Sequence, residues 1–131
     1  LSHMTGNAAA VSQAAALAAL TGDQTPVEQM RAAFQQRLDT IYPLLTALPG
    51  FQLAHKPQGA FYLFPDVREA MRLKGLTTTD DFVAAVLDQA HVAVVTGTAF
   101  GLPNHIRLSY ATDLDSLKTA MARLQTFMTT D

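Results

Sequence analysis

A single apolar stripe constrains the fold of this chain more than any other feature. Val27, Met30, Phe34, Leu38, Ile41, Leu45 and Leu48 recur at three- and four-residue intervals. That spacing places side chains on one face of an α-helix. A helix carrying such a stripe must bury it against another layer of structure. Thr25-Pro26 supplies a cap and a first-turn proline in the favoured order. Pro43 interrupts the stripe and predicts a kink there, with Pro49-Gly50 as the stop. The stripe residues read as core, since a regular helical period is what packing requires.

The rest of the pattern supplies the other layers. Ala8 to Leu20 is a helix on propensity, with Asn7 as its cap. It is small and apolar nearly all round, so it is expected to be buried, and Thr21-Gly22-Asp23 ends it. Two short strands follow the striped helix, Phe51 to Ala54 and Ala60 to Phe64, separated by Lys56-Pro57-Gln58-Gly59. Pro65-Asp66 closes the second and opens a helix around Val67 to Arg72. Thr79-Asp80-Asp81 starts a helix running to about Gln89, its acids favoured by the positive end of the helix dipole. Phe82, Val83, Val86 and Leu87 are expected to face inward. A strand at Val92 to Val95, a glycine loop and a second strand around Arg107 precede the last helix, opened by Asp113. Its Leu114, Leu117, Met121, Leu124 and Met128 share a face. Together these elements predict an α/β sandwich of the α+β kind: helices covering one face of a small, mainly antiparallel sheet.

Composition narrows the function classes. A chain of 131 residues fits one domain. The net charge of -2, without a basic stripe interleaved with aromatics, argues against nucleic acid as a partner. The absence of cysteine excludes a disulfide framework and any thiolate metal site. The longest apolar run, Ala14 to Leu20, is too short to span a bilayer, so no membrane partner is expected. A cytoplasmic location is compatible with this composition. Leu1-Ser2-His3-Met4 reads as an expression-tag remnant, which leaves residues 5–131 as the domain.

Arg107 is the most informative single residue. It lies in His105-Ile106-Arg107-Leu108-Ser109-Tyr110-Ala111, an apolar alternation, downstream of Thr96-Gly97-Thr98-Ala99-Phe100-Gly101. A guanidinium there snorkels to water or pairs with a structural Asp or Glu, or else meets an anionic ligand through its planar fork. Other candidates are weaker. His55, His91 and His105 share no metal-ligand spacing, and no metal site is expected. Asp80-Asp81 and Asp113-Leu114-Asp115 sit where helices begin, and capping explains them. The glycine loop lacks the Lys-Ser/Thr ending of a phosphate-binding loop, and Ser109 and Ser12 lack a nucleophile-elbow context.

Val92 to Gly101 followed by His105 to Ala111 resembles the C-terminal segment of fold-type I pyridoxal-phosphate-dependent aminotransferases of the aspartate aminotransferase class, class I/II. Gln58-Gly59-Ala60-Phe61-Tyr62-Leu63-Phe64 resembles that family's small-domain strand. Thr5-Gly6-Asn7 with Gln13 to Leu20 resembles the segment leading from its large domain into the small one. The matches fall in the family's order and cover essentially residues 5–131. The resemblance implies the C-terminal small domain of an enzyme that moves an amino group between an amino acid and a 2-keto acid. It implies pyridoxal phosphate as the parent enzyme's cofactor and a homodimeric parent.

Residue by residue, Arg107 matches the family arginine that holds the substrate α-carboxylate, and Phe100 is placed as an apolar wall beside it. Gly59 and Tyr62 read as strand-packing residues. The chain departs from the family in carrying Thr96 where proline usually precedes the glycine, which removes a rigidifying residue from the loop. None of the lysines, Lys56, Lys74 and Lys118, resembles the Schiff-base lysine, which in the family lies N-terminal to this segment. No catalytic or cofactor-binding residue is therefore expected here. The isolated chain is expected to be inactive and without bound cofactor, and its apolar first helix to favour self-association. The competing expectation is a stand-alone, non-catalytic binding or interaction module built on the same small-domain fold.

Overall fold

The computed structural model describes residues 22–53 and 61–130. The expected helix from Ala8 to Leu20 lies outside the described residues, as do Lys56, His55 and Gly59. The chain divides into two units, Leu1–Ala33 and Phe34–Asp131.

In the first unit the described residues form the start of helix α1 (Thr25–Thr46). Asp23 sets that start: its carboxylate accepts from the Thr25 backbone N–H at 3.0 Å and from the Thr25 hydroxyl at 2.8 Å. These bonds hold the Asp23 carboxyl below its ordinary pKa. Glu28 pairs with Arg31 one turn on, at 3.0 Å. Val27 and Met30 are 47% and 61% exposed, contrary to their place on the apolar stripe. Periodicity shows which residues share a helical face, but not how far along the helix a partner extends.

The second unit contains the core. From Phe34 onward α1 buries Leu38, Ile41 and Leu45, as its stripe predicts. The helix runs through Pro43 and ends at Thr46, three residues before the expected Pro49-Gly50 stop. Strand β1 (Tyr62–Leu63) and helix α2 (Arg68–Leu73) come next. Helix α3 (Thr79–Ala85) follows, with the Thr78 hydroxyl accepting from the Asp81 N–H as its cap. It continues as a π-helical turn, Val86–Ala90. Strand β2 (Val95–Thr96), a 3₁₀ turn (Gly97–Phe100), strand β3 (Ile106–Ser109) and helix α4 (Leu114–Thr129) complete the chain. Asp113 caps α4, accepting from the Ser116 hydroxyl at 2.7 Å and the Ser116 N–H at 3.0 Å. Those bonds hold its carboxyl below the usual carboxylate range.

The sheet has the order β1-β3-β2, and both pairings are antiparallel. Leu63, Ile106, Leu108 and Tyr110 project from one face into a core shared with Leu45, Met71, Phe82, Val86, Leu117 and Leu124. The expected α/β sandwich is thus the observed fold. The strands are shorter than the apolar runs suggest. Phe51 to Ala54 reduces, within the described residues, to a single bridge between Gln52 and Asp66. Val92 and Val94 are buried but precede the paired residues of β2. Leu87 is 55% exposed rather than inward. Phe82 and Val86, four apart, already hold the inward face, and the next residue turns away by about 100°. Phe127, which the stripe of α4 omitted, is buried beside Met128.

Lys74 closes the far end of α4. Its ammonium donates to the carbonyls of Phe127 at 2.9 Å and Thr130 at 2.7 Å, and lies over the Phe127 ring. A cation at the negative end of a helix dipole satisfies carbonyls that the helix leaves unpaired.

Candidate functional site

Alternation along β3 decides where Arg107 goes. Ile106 and Leu108 are buried, so Arg107, between them, projects from the opposite face and is half-buried. Val95 of β2 stands opposite Arg107, and Tyr62 of β1 opposite Ser109. The face that carries Arg107 therefore also carries Tyr62 and Val95, which are 37% and 38% exposed.

The Arg107 guanidinium carbon lies 4.3 Å from the centre of the Tyr62 ring and 4.7 Å from that of Phe100. Phe64 meets both rings, 6.4 Å from Tyr62 and 6.3 Å from Phe100 between centroids. Among the described residues no carboxylate pairs with Arg107; the ion pairs formed there are Glu28–Arg31 and Glu69–Arg72. Pairing with a structural acid thus finds no acid among the described residues. A guanidinium that meets rings through its face keeps its N–H donors in the plane at right angles to that contact.

Phe100 reaches this position because of the turn that bears it. The Thr96 hydroxyl accepts from the Thr98 N–H at 3.3 Å and caps the 3₁₀ turn. Gly97 donates to the His105 carbonyl at 2.7 Å and accepts from Leu102 at 2.8 Å. A Cβ at Gly97 would lie 2.4 Å from the Leu102 carbonyl oxygen and 2.6 Å from that of His105, so only glycine fits. Gly101 ends the turn at φ +75°, in the left-handed region.

Thr96 itself has φ -63° and ψ 134°, close to the backbone angles a proline would impose. Because Gly97 and His105 are a hydrogen-bonded pair, alternation makes Thr96 and Ile106 a non-bonded one, and the Thr96 N–H points away from β3. The loop has kept a proline-like shape without the proline.

Arg107 and Phe100, both singled out from the sequence, are therefore brought together. Tyr62, a strand-packing residue on sequence, packs on the exposed face beside the arginine. The alternation of Tyr62 and Phe64 about Leu63 signals the face that the two rings share, but not the arginine beside it. His105 turns its Nδ1 to the Pro103 carbonyl at 2.9 Å, and His91 stands at the helix-to-strand junction in the left-handed region. Among the described residues no group of three or more His, Asp or Glu side chains is arranged to hold a metal ion. None of their helices is long and apolar enough to cross a membrane.

Residues 2–124 match the family model for aminotransferase class I and II. The chain is 56% identical over 127 residues to an aspartate aminotransferase of Geobacillus stearothermophilus, covering 97% of this chain and 32% of that protein. It is 52% identical over 128 residues to an asparagine–oxo-acid transaminase of Streptococcus mutans serotype c, covering 98% of this chain and 32% of that protein. Among solved structures, the aspartate aminotransferase of Rhizobium meliloti superposes with a TM-score of 0.79 at 37% identity, covering 90% of this chain and 30% of that one. The alanine aminotransferase of Pyrococcus furiosus gives 0.78 at 36% identity, covering 87% and 28%. The chain thus spans about a third of the length of the curated relatives it matches.

Proposed function

The chain belongs to the class I and II aminotransferase family, and on that premise we propose that residues 5–131 form the small domain of a pyridoxal-phosphate-dependent enzyme. The enzyme exchanges an amino group between an amino acid and a 2-keto acid, and this domain supplies Arg107 to grip the α-carboxylate that both substrates share. The observation that carries the reading is a forked donor on the open face of the sheet, seated on two rings and unmatched by any described carboxylate. Holding the carboxylate by two parallel hydrogen bonds orients the α-carbon before reaction. Phe100 adds an apolar wall at the same place.

In this proposal neither described lysine holds the cofactor. The Lys74 ammonium is committed to the Phe127 and Thr130 carbonyls, and Lys118 stands on the exposed face of α4. The cofactor, which supplies the electron sink for the reaction, belongs in this proposal to the part of the enzyme outside this segment. The cytoplasmic location, the homodimeric parent and the inactivity of the segment alone are parts of the same proposal. The stand-alone module is the less favoured reading, because the likeness runs along nearly the whole chain to one portion of longer enzymes.

Kinetics of Arg107→Ala in the full-length protein test the reading. A hydrogen bond to a charged group contributes about 1.5–3 kcal/mol, so KM for amino and keto acids is expected to rise about ten-fold or more. Arg107→Lys is expected to recover only part, since a point charge cannot reproduce the fork. Unchanged KM values in both variants would overturn the assignment.

A further inference from the structure

The geometry points to Tyr62 and Phe100 as positioning residues that fix the plane of the Arg107 guanidinium before a carboxylate arrives. This deepens the carboxylate-clamp reading and rests on it.

Arginine carries a long, rotamer-rich arm, and a fork that must be ordered on binding weakens the complex by the entropy lost. Here the arm is flanked from both sides of the strand that bears it. Tyr62 comes from β1 and Phe100 from the turn after β2, while β3 lies between those strands. Both rings lie within cation–π reach of the guanidinium, at 4.3 and 4.7 Å.

The rings are themselves held. Phe64 meets Phe100 nearly edge-on, at 80°, and is tilted 58° to Tyr62. The Thr96 cap and the close approach at Gly97 fix the turn beneath Phe100. A guanidinium that meets rings through its face leaves its edge to a carboxylate, and two contacts made that way do not compete. The site thus selects for a flat cation: an ammonium has no plane for the rings to set.

The test is made in the full-length protein with Tyr62→Leu and Phe100→Leu, beside the ring-keeping Tyr62→Phe and Phe100→Tyr, and with Arg107→Ala. The readouts are the Kd of succinate, a non-reacting carboxylate probe, by calorimetry, together with KM and kcat for L-aspartate. A cation–π contact at an exposed site predicts that each leucine variant raises Kd and KM about two- to five-fold. The kcat is expected to stay within about two-fold, the signature of a lost binding contribution. The ring-keeping variants should bind succinate more tightly than the leucine variants, since each retains a ring for the guanidinium. Both rings are substantially exposed, so folding should survive; thermal melts check this, and methionine replaces leucine in any variant that melts early.

Leucine variants that bind succinate as the wild type does, while Arg107→Ala loses about ten-fold, would overturn the positioning role and leave the clamp standing. Tyr62→Phe weakened as much as Tyr62→Leu would assign the effect to the hydroxyl and overturn it too. Succinate binding unchanged in Arg107→Ala would remove the clamp itself, and this inference with it.

Discussion

The two faces of the three-stranded sheet are built from the same strands and differ in almost every physical respect. On one face Leu63, Ile106 and Leu108 are no more than 4% exposed and join helices α1 to α4 in one core. On the other, Tyr62, Val95 and Phe100 remain 37–47% exposed around a guanidinium. One residue step along β3 separates the two environments. Under the proposed function, stability and carboxylate recognition fall to alternate side chains, and each can be altered while the other is left in place.

The largest expected effect breaks the contrast from the buried side. Ile106→Ala removes a side chain with no exposure and is expected to cost about 2–5 kcal/mol of stability, read from denaturant unfolding. Its neighbour Arg107→Ala, one position along, is expected to change stability by less than about 1 kcal/mol. A comparable loss from both would show that the faces are not separable. Gly97→Ala tests the junction between them. Its Cβ must displace the backbone of Leu102 or His105, and overpacking of this kind costs about 1–3 kcal/mol. Because the same turn carries Phe100, succinate affinity in the full-length variant should fall as well, and a loss of stability without a loss of affinity would uncouple the turn from the site.

The smallest effect is the sharpest test of the edge-strand geometry. At Thr96→Pro, restricting the unfolded chain is worth about 0.4–1 kcal/mol and offsets most of the lost hydroxyl bond to Thr98. The denaturation midpoint should barely move. A large loss would mean that the Thr96 N–H is used after all, contrary to the alternation of the β2–β3 ladder.

Much of this was legible in the sequence, and the limits have physical causes. The period of α4, Leu114 and Phe127 excepted, and the later half of the α1 stripe show which residues line the core, because a helix makes its own backbone bonds and its side chains follow. Strands do not. The run from Val92 to Val95 is apolar enough for a full strand, yet only Val95 and Thr96 find partners on β3, since pairing depends on a neighbour distant in sequence. Val27 and Met30 fail for a related reason: a face is written locally and its cover is not. Arg107 stood out because a charge amid apolar neighbours is unusual. Its seat on Tyr62 could not be read, because Tyr62 lies far away along the chain and meets it only through the register of β1 on β3.

The central place of β3 has a consequence for motion. Alternation makes Val95 and Arg107 one bonded pair of the ladder, and the next residue, Leu108, is matched with Leu63 on the other side. The backbone under the arginine is therefore tied on both flanks and opens only when the sheet does. Loops can carry their functional groups toward a ligand by bending; this guanidinium has no such freedom. It travels with the whole unit or swings on its own side chain, so a backbone movement that carries it must be a rigid-body displacement, with the strand as its passenger.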